Sequence, residues 1–62
     1  MKTYSKEYIN ILARNENLTI DDTHSFIRLY DQNKFKYCFK KQLSNERYTL
    51  ENTPLYEELM IL

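Results

Sequence analysis

Apolar positions recur along this chain with two different periods, and the change of period divides it. In the first stretch Tyr4, Tyr8, Ile11 and Leu12 fall on one helical face, with Lys6, Asn10 and Arg14 opposite. Ser5 stands where a side-chain oxygen can accept from an early helical amide, and Tyr4 and Ile9 flank it at staple spacing. The pattern predicts an amphipathic helix that starts at Ser5 and ends near Asn15. In the second stretch Thr19 is a good N-cap and Asp22 sits at the capping-box offset. Asp21 and Asp22 together would oppose the positive end of a helix dipole. A helix from about Ile20 to Asp31 is predicted, with Ile20, Thr23, Phe26, Ile27 and Tyr30 on one face. Ile27-Arg28-Leu29-Tyr30 also suits a strand, and the capping signal decides for the helix.

From Lys34 the period falls to two. Phe35, Tyr37 and Phe39 take one side and Lys36, Cys38 and Lys40 the other, as in a half-buried strand. Leu43-Ser44-Asn45-Glu46 reads as a turn, and Arg47-Tyr48-Thr49-Leu50-Glu51 alternates again. The two runs predict an antiparallel hairpin with Asn45 supplying the unusual backbone angle. At the end of the chain Thr53 is an N-cap and Pro54 occupies the first helical position, where no amide hydrogen is needed. A closing helix is predicted there, with Leu55, Leu59 and Leu62 along one side and Tyr56 and Met60 broadening it.

These elements make an α+β domain: two N-terminal helices, an antiparallel two-stranded hairpin and a C-terminal helix. A small all-α bundle is the alternative, because Phe35, Phe39 and Leu43 also repeat by four. Glycine is absent, so positions needing positive φ fall to asparagine; Asn15, Asn17, Asn33, Asn45 and Asn52 punctuate the chain.

Length bears on stability. Residues 1–62 form one small domain, and a chain of this size buries only about 60% of its unfolded surface. Cys38 is the only cysteine and His24 the only histidine, which excludes an internal disulfide and a four-ligand Cys/His zinc site. Self-association or a partner is the remaining staple. A homodimer is therefore expected, with the apolar run Leu59-Met60-Ile61-Leu62 closing the core, forming the seam or docking another protein. The lone thiol suits a reducing compartment, and neither a membrane span nor a signal-peptide core is present, so a cytoplasmic location is expected. The bias toward Asn, Lys, Ile, Tyr and Phe resembles AT-rich coding, as in low-GC bacteria and their phages.

Net charge is zero, yet charge is unevenly placed. Residues 1–33 carry four cations and five anions, 34–47 five and one, and 48–62 none and three. The hairpin is thus a positive island, with Lys34, Lys36, Lys40, Lys41 and Arg47 interleaved among aromatic rings. Such a patch can contact phosphates and stack on bases, or serve as the wing of a helix-turn-helix module. It also suits a strand whose rings are core and whose lysines are solvated.

No catalytic constellation accompanies it. His24 and Ser25 are neighbours without an orienting group or oxyanion pocket, and Asp21 and Asp22 lack further ligands for a metal. No enzymatic activity, cofactor or metal is expected. The leading expectation is a small protein-binding module, of the kind a phage or mobile element uses to inhibit or adapt a host protein. Tyr37, Tyr48, Tyr56, Met60 and Leu62 are its interface candidates. The alternative is a small regulatory DNA- or RNA-binding protein, winged-helix-like, that uses the five hairpin cations.

Overall fold

The structure is a computed structural model, described over residues 2–56. It consists of one helix, α1 (Lys6–Glu16), followed by four strands, β1 (Thr19–Asp22), β2 (Phe26–Asp31), β3 (Lys34–Gln42) and β4 (Arg47–Glu51). The strands form an antiparallel meander in the order β1-β2-β3-β4.

The first helix forms where its cap places it, but it buries Ile9 and Ala13, whereas Tyr8 and Ile11 of the expected apolar face are exposed. Ser5 is the N-cap and its Oγ accepts from the Tyr8 amide at 3.0 Å. Asn17 closes the helix in the left-handed conformation, φ 56°, two residues beyond the expected end. Ile9 and Ala13 on its inner face pack against Ile27, Leu29, Phe39 and Tyr48, one or two from each of β2, β3 and β4. Tyr4, Leu12, Leu18 and Tyr37 flank this core. Burying a side chain such as Ile9, Ile27, Leu29 or Phe39 contributes about 1.5–3 kcal/mol.

Three expectations are corrected. The second helix is absent: residues 19–31 are the β1–β2 hairpin. The expected capping residues Thr19, Asp21 and Asp22 lie in β1, and Thr23, expected on a helical face, closes the turn into β2. Its Oγ accepts from the Phe26 amide at 3.2 Å and donates to the Phe26 carbonyl at 2.8 Å, so a cap-forming residue closes a turn. Thr and Asp satisfy backbone groups equally well at helix starts and in turns. Pairing then places Ile27 and Leu29 against α1. Nor does a helix begin at Thr53–Pro54, since Asn52–Tyr56 is irregular. The remainder of that predicted helix, Glu57–Leu62, lies outside the described residues. With one helix and a sheet of four strands, the all-α bundle is excluded as well.

The third correction concerns β3. Register runs Leu29↔Tyr37 and then Tyr30↔Phe35, so Lys36 is the extra residue of a β-bulge. Tyr37 and Phe39 keep the helix side, whereas Phe35 shifts to the opposite face and meets the Tyr30 ring edge-on at 6.3 Å. The predicted β3–β4 hairpin is present, but Glu46 takes the positive φ of 55°. Asn45 instead accepts from the Arg47 amide through its side-chain oxygen at 3.1 Å.

The N-terminal segment finishes one edge of the sheet. Tyr4 and Tyr48 exchange both backbone hydrogen bonds at 2.8 Å, and Arg47 donates to the Thr3 hydroxyl and carbonyl, each at 3.1 Å. No described residue pairs with the outer side of β1 at the other edge.

The β2–β3 turn places Gln32 at φ 51° and Asn33 at φ 73°. A type I′ turn demands positive φ at both central positions, which matches strand twist but penalises a residue bearing a Cβ. Gln32→Gly should therefore stabilise the fold by about 1 kcal/mol. That corresponds to a rise of about 4–8 °C in the midpoint of a thermal melt followed by circular dichroism.

Candidate interaction face

The sheet has one face against α1 and one turned away from it, and the second face gathers most of the unexplained chemistry. In the β1–β2 register Asp21 lies opposite Arg28, and Cys38 lies opposite Arg28 on β3. Arg28 is the one buried charged residue among those described, 8% exposed. Its Nη2 reaches Asp21 Oδ2 at 2.8 Å, and its guanidinium lies 5.5 Å from the Phe26 ring centre and 4.5 Å from that of Tyr56. The Nε is buried with no hydrogen-bond acceptor. Rings above a guanidinium offset part of its desolvation through their negative faces.

The irregular segment after β4 crosses this face. Tyr56 lies over the Arg28 guanidinium, and the Leu55 backbone lies near the Cys38 sulfur. Burial is the main cause that pushes the Cys38 thiol up from its ordinary pKa, and the same cause raises Tyr30. Cys38 is therefore an enclosed, protonated thiol rather than a reactive one. Around Arg28 stand Tyr30 and Phe35, half-buried, and Tyr56, 66% exposed. The result is an arginine set among aromatic rings whose outer edges meet solvent.

Of the interface candidates read from the sequence, Tyr56 belongs to this cluster. Tyr37 lies on the helix side and donates from its hydroxyl to Glu16, at 3.1 Å to Oε2. Tyr48 is buried in the core, 8% exposed. Met60 and Leu62 lie outside the described residues. Phe26, Arg28, Tyr30 and Phe35 were missed. The available signal was the alternation Ile27-Arg28-Leu29-Tyr30, which in a strand sends Arg28 and Tyr30 to the face opposite Ile27 and Leu29.

The five hairpin cations do not share a surface. Lys36 leaves the strand alternation at the bulge and pairs with Glu16 at 2.6 Å. Lys40 lies opposite Phe26 on the face away from the helix, whereas Lys41 lies opposite Tyr48. Arg47 is engaged by Thr3, and Lys34 is exposed beside the β2–β3 turn. The aspartates read as dipole compensation serve ion pairs between elements instead: Asp21 with Arg28, and Asp22 with Lys6 at 3.0 Å. His24 is exposed in the β1–β2 turn. Among the described residues no cluster of His, Cys, Asp and Glu could hold a metal ion, and no helix is long and apolar enough to cross a membrane.

No protein-family model, curated protein or solved structure matches this chain.

The Glu16–Lys36–Tyr37 group makes stability depend on pH at both ends. The hydrogen bond from Lys36 holds the Glu16 carboxyl below its ordinary pKa, so its contribution is present at neutral pH and lost as pH falls through the depressed value. Lys36 is raised by its bond to Glu16, and Tyr37 is raised first by burial and then by Glu16. Their contributions are complete below the ordinary lysine and tyrosine values and disappear as pH rises through the raised ones. Denaturant midpoints measured across pH should show both limbs, and Glu16→Gln should reduce the acid limb and the lysine part of the alkaline one, leaving the part of the Tyr37 limb that burial causes and a lower plateau.

Proposed function

We propose that this chain is a non-enzymatic protein-binding module that docks through the sheet face opposite α1, with Arg28, Tyr30, Phe35 and Tyr56 as its anchors. The observation that carries this reading is the buried Arg28, held between Phe26 and Tyr56 with its Nε lacking an acceptor. Arginine and tyrosine in desolvated settings are the residues that dominate protein interfaces. Each keeps a polar tip that a partner can satisfy while the body of the side chain excludes water. A partner carbonyl or carboxylate at this cluster would supply the acceptor that the guanidinium lacks.

Charge placement supports a protein rather than a nucleic acid as the partner. Phosphate tracking needs cations gathered on one surface. Here Lys36 and Arg47 are engaged within the chain and Lys40 and Lys41 point to opposite faces.

Quantitative affinity capture from the source cell, with and without nuclease, tests this reading. A protein partner recovered by the unaltered chain should be lost about tenfold or more with Tyr56→Ala. Arg28→Met should lose it similarly while remaining folded, since the Asp21 carboxylate it leaves unpaired is about half exposed and stays solvated. Lys34→Gln, Lys40→Gln and Lys41→Gln combined should leave recovery unchanged. Recovery that vanishes with nuclease, or that ignores Tyr56 and Arg28 while following the lysines, overturns the proposal.

A further inference from the structure

A different surface lies where α1 passes the outer edge of β1. On an antiparallel edge, alternate residues turn their amide and carbonyl outward, a template that an extended chain can complete. The β4 edge is partly closed by Tyr4 and Thr3, whereas no described residue pairs with the outer side of β1. Beside that edge is an open cleft of about 390 Å³ lined by Asn10, Ala13, Arg14, Asn17, Leu18 and Ile20. Ala13 leaves room where a longer side chain would fill the space. Ile20 is 40% exposed although Leu29, opposite it on β2, is fully buried. Toward the other end of β1 the Lys6–Asp22 pair bridges helix and strand, which confines an entering chain to the Leu18–Ile20 half.

Charge narrows the occupant further. Glu16, Asp21 and Asp22 are each held by a cation, whereas Arg14 has no ion pair among the described residues. The cleft therefore presents an apolar floor, amide side chains at its rim and one uncompensated guanidinium.

We propose that this cleft binds an extended peptide segment of a partner protein. The segment adds a strand outside β1, seats one apolar side chain against Ala13, Leu18 and Ile20, and places a carboxylate at Arg14. Main-chain pairing supplies the general attraction, and the apolar seat with its neighbouring cation supplies selectivity. A second copy of this chain is a poorer occupant, because the aspartates of its own β1 are already committed to Arg28 and Lys6.

The test begins with a displayed library of random linear nonapeptides selected against the whole chain, and continues with the most enriched sequence as a synthetic peptide. Enriched peptides should pair an apolar residue with a nearby Asp or Glu. On titration, amide shifts should concentrate at Asn10, Arg14 and Asn17–Asp22. Ile20→Lys should weaken binding about tenfold, and Arg14→Gln about fivefold with a reduced salt dependence. Arg14 is exposed on the helix, so the second variant remains informative if the first is unstable. Tyr56→Ala should leave peptide affinity unchanged, which separates this site from the arginine–aromatic face. The proposal is overturned if no acidic, apolar-centred sequence is enriched, or if shifts fall on Phe26–Tyr30 and Tyr56 alone. It is equally overturned if sedimentation shows a dimer abolished by Ile20→Lys, which would make a second copy the occupant.

Discussion

The packing of Ile9 and Ala13 against Ile27, Leu29, Phe39 and Tyr48 ties α1 to β2, β3 and β4 and fixes which face of the sheet the helix covers. An antiparallel sheet presents two faces, and a single eleven-residue helix covers only one of them. The uncovered face must then either be polar or find another cover. Here it takes a mixed course, with Phe26 and Cys38 buried beneath the segment after β4 and Arg28 retained among them. The arginine–aromatic cluster thus follows from the arithmetic of one helix and four strands.

The absence of glycine shapes the connections. Asn17, Gln32, Asn33 and Glu46 take positive φ, and two of the four lack the short amide side chain that tolerates this region best. Such positions persist when the surrounding pairings over-determine them. The β2–β3 and β3–β4 ladders on either side do so here. Local strain is accepted because the meander needs tight turns to bring consecutive strands into register.

Charge is organised by contact rather than by segment. The island of cations that stands out along the chain is dispersed once β3 alternates and its bulge diverts Lys36 to Glu16. Among the described residues Lys6–Asp22 and Lys36–Glu16 tie α1 to β1 and β3, and Arg28–Asp21 joins the neighbouring strands β2 and β1. The exposed Lys6–Asp22 pair adds little stability in water, at most about 1 kcal/mol. Its larger effect is geometric, since it bounds the groove between α1 and β1.

Capping and period were enough to read that α1 forms from its Ser5 cap and that β3 and β4 pair around Leu43–Glu46, because those signals act within a few residues of each other, but not that α1 would bury Ile9 and Ala13 in place of Tyr8 and Ile11. Tyr56 was named as an interface ring, but on a helix that does not begin there, and its companions were not named. Thr19, Asp21 and Asp22 have the residue types of a helix start but stand in β1, where the aspartates pair with Arg28 and Lys6, so residues 19–31 had no unambiguous local reading. Long-range burial of Ile27 and Leu29 against Ile9 and Ala13 resolved it in favour of strands. The bulge that turns Phe35 toward Tyr30, and the face on which Arg28 meets Asp21 and Tyr56, are consequences of pairing between strands. Register belongs to no single segment, and for that reason the site became visible only when the chain was folded.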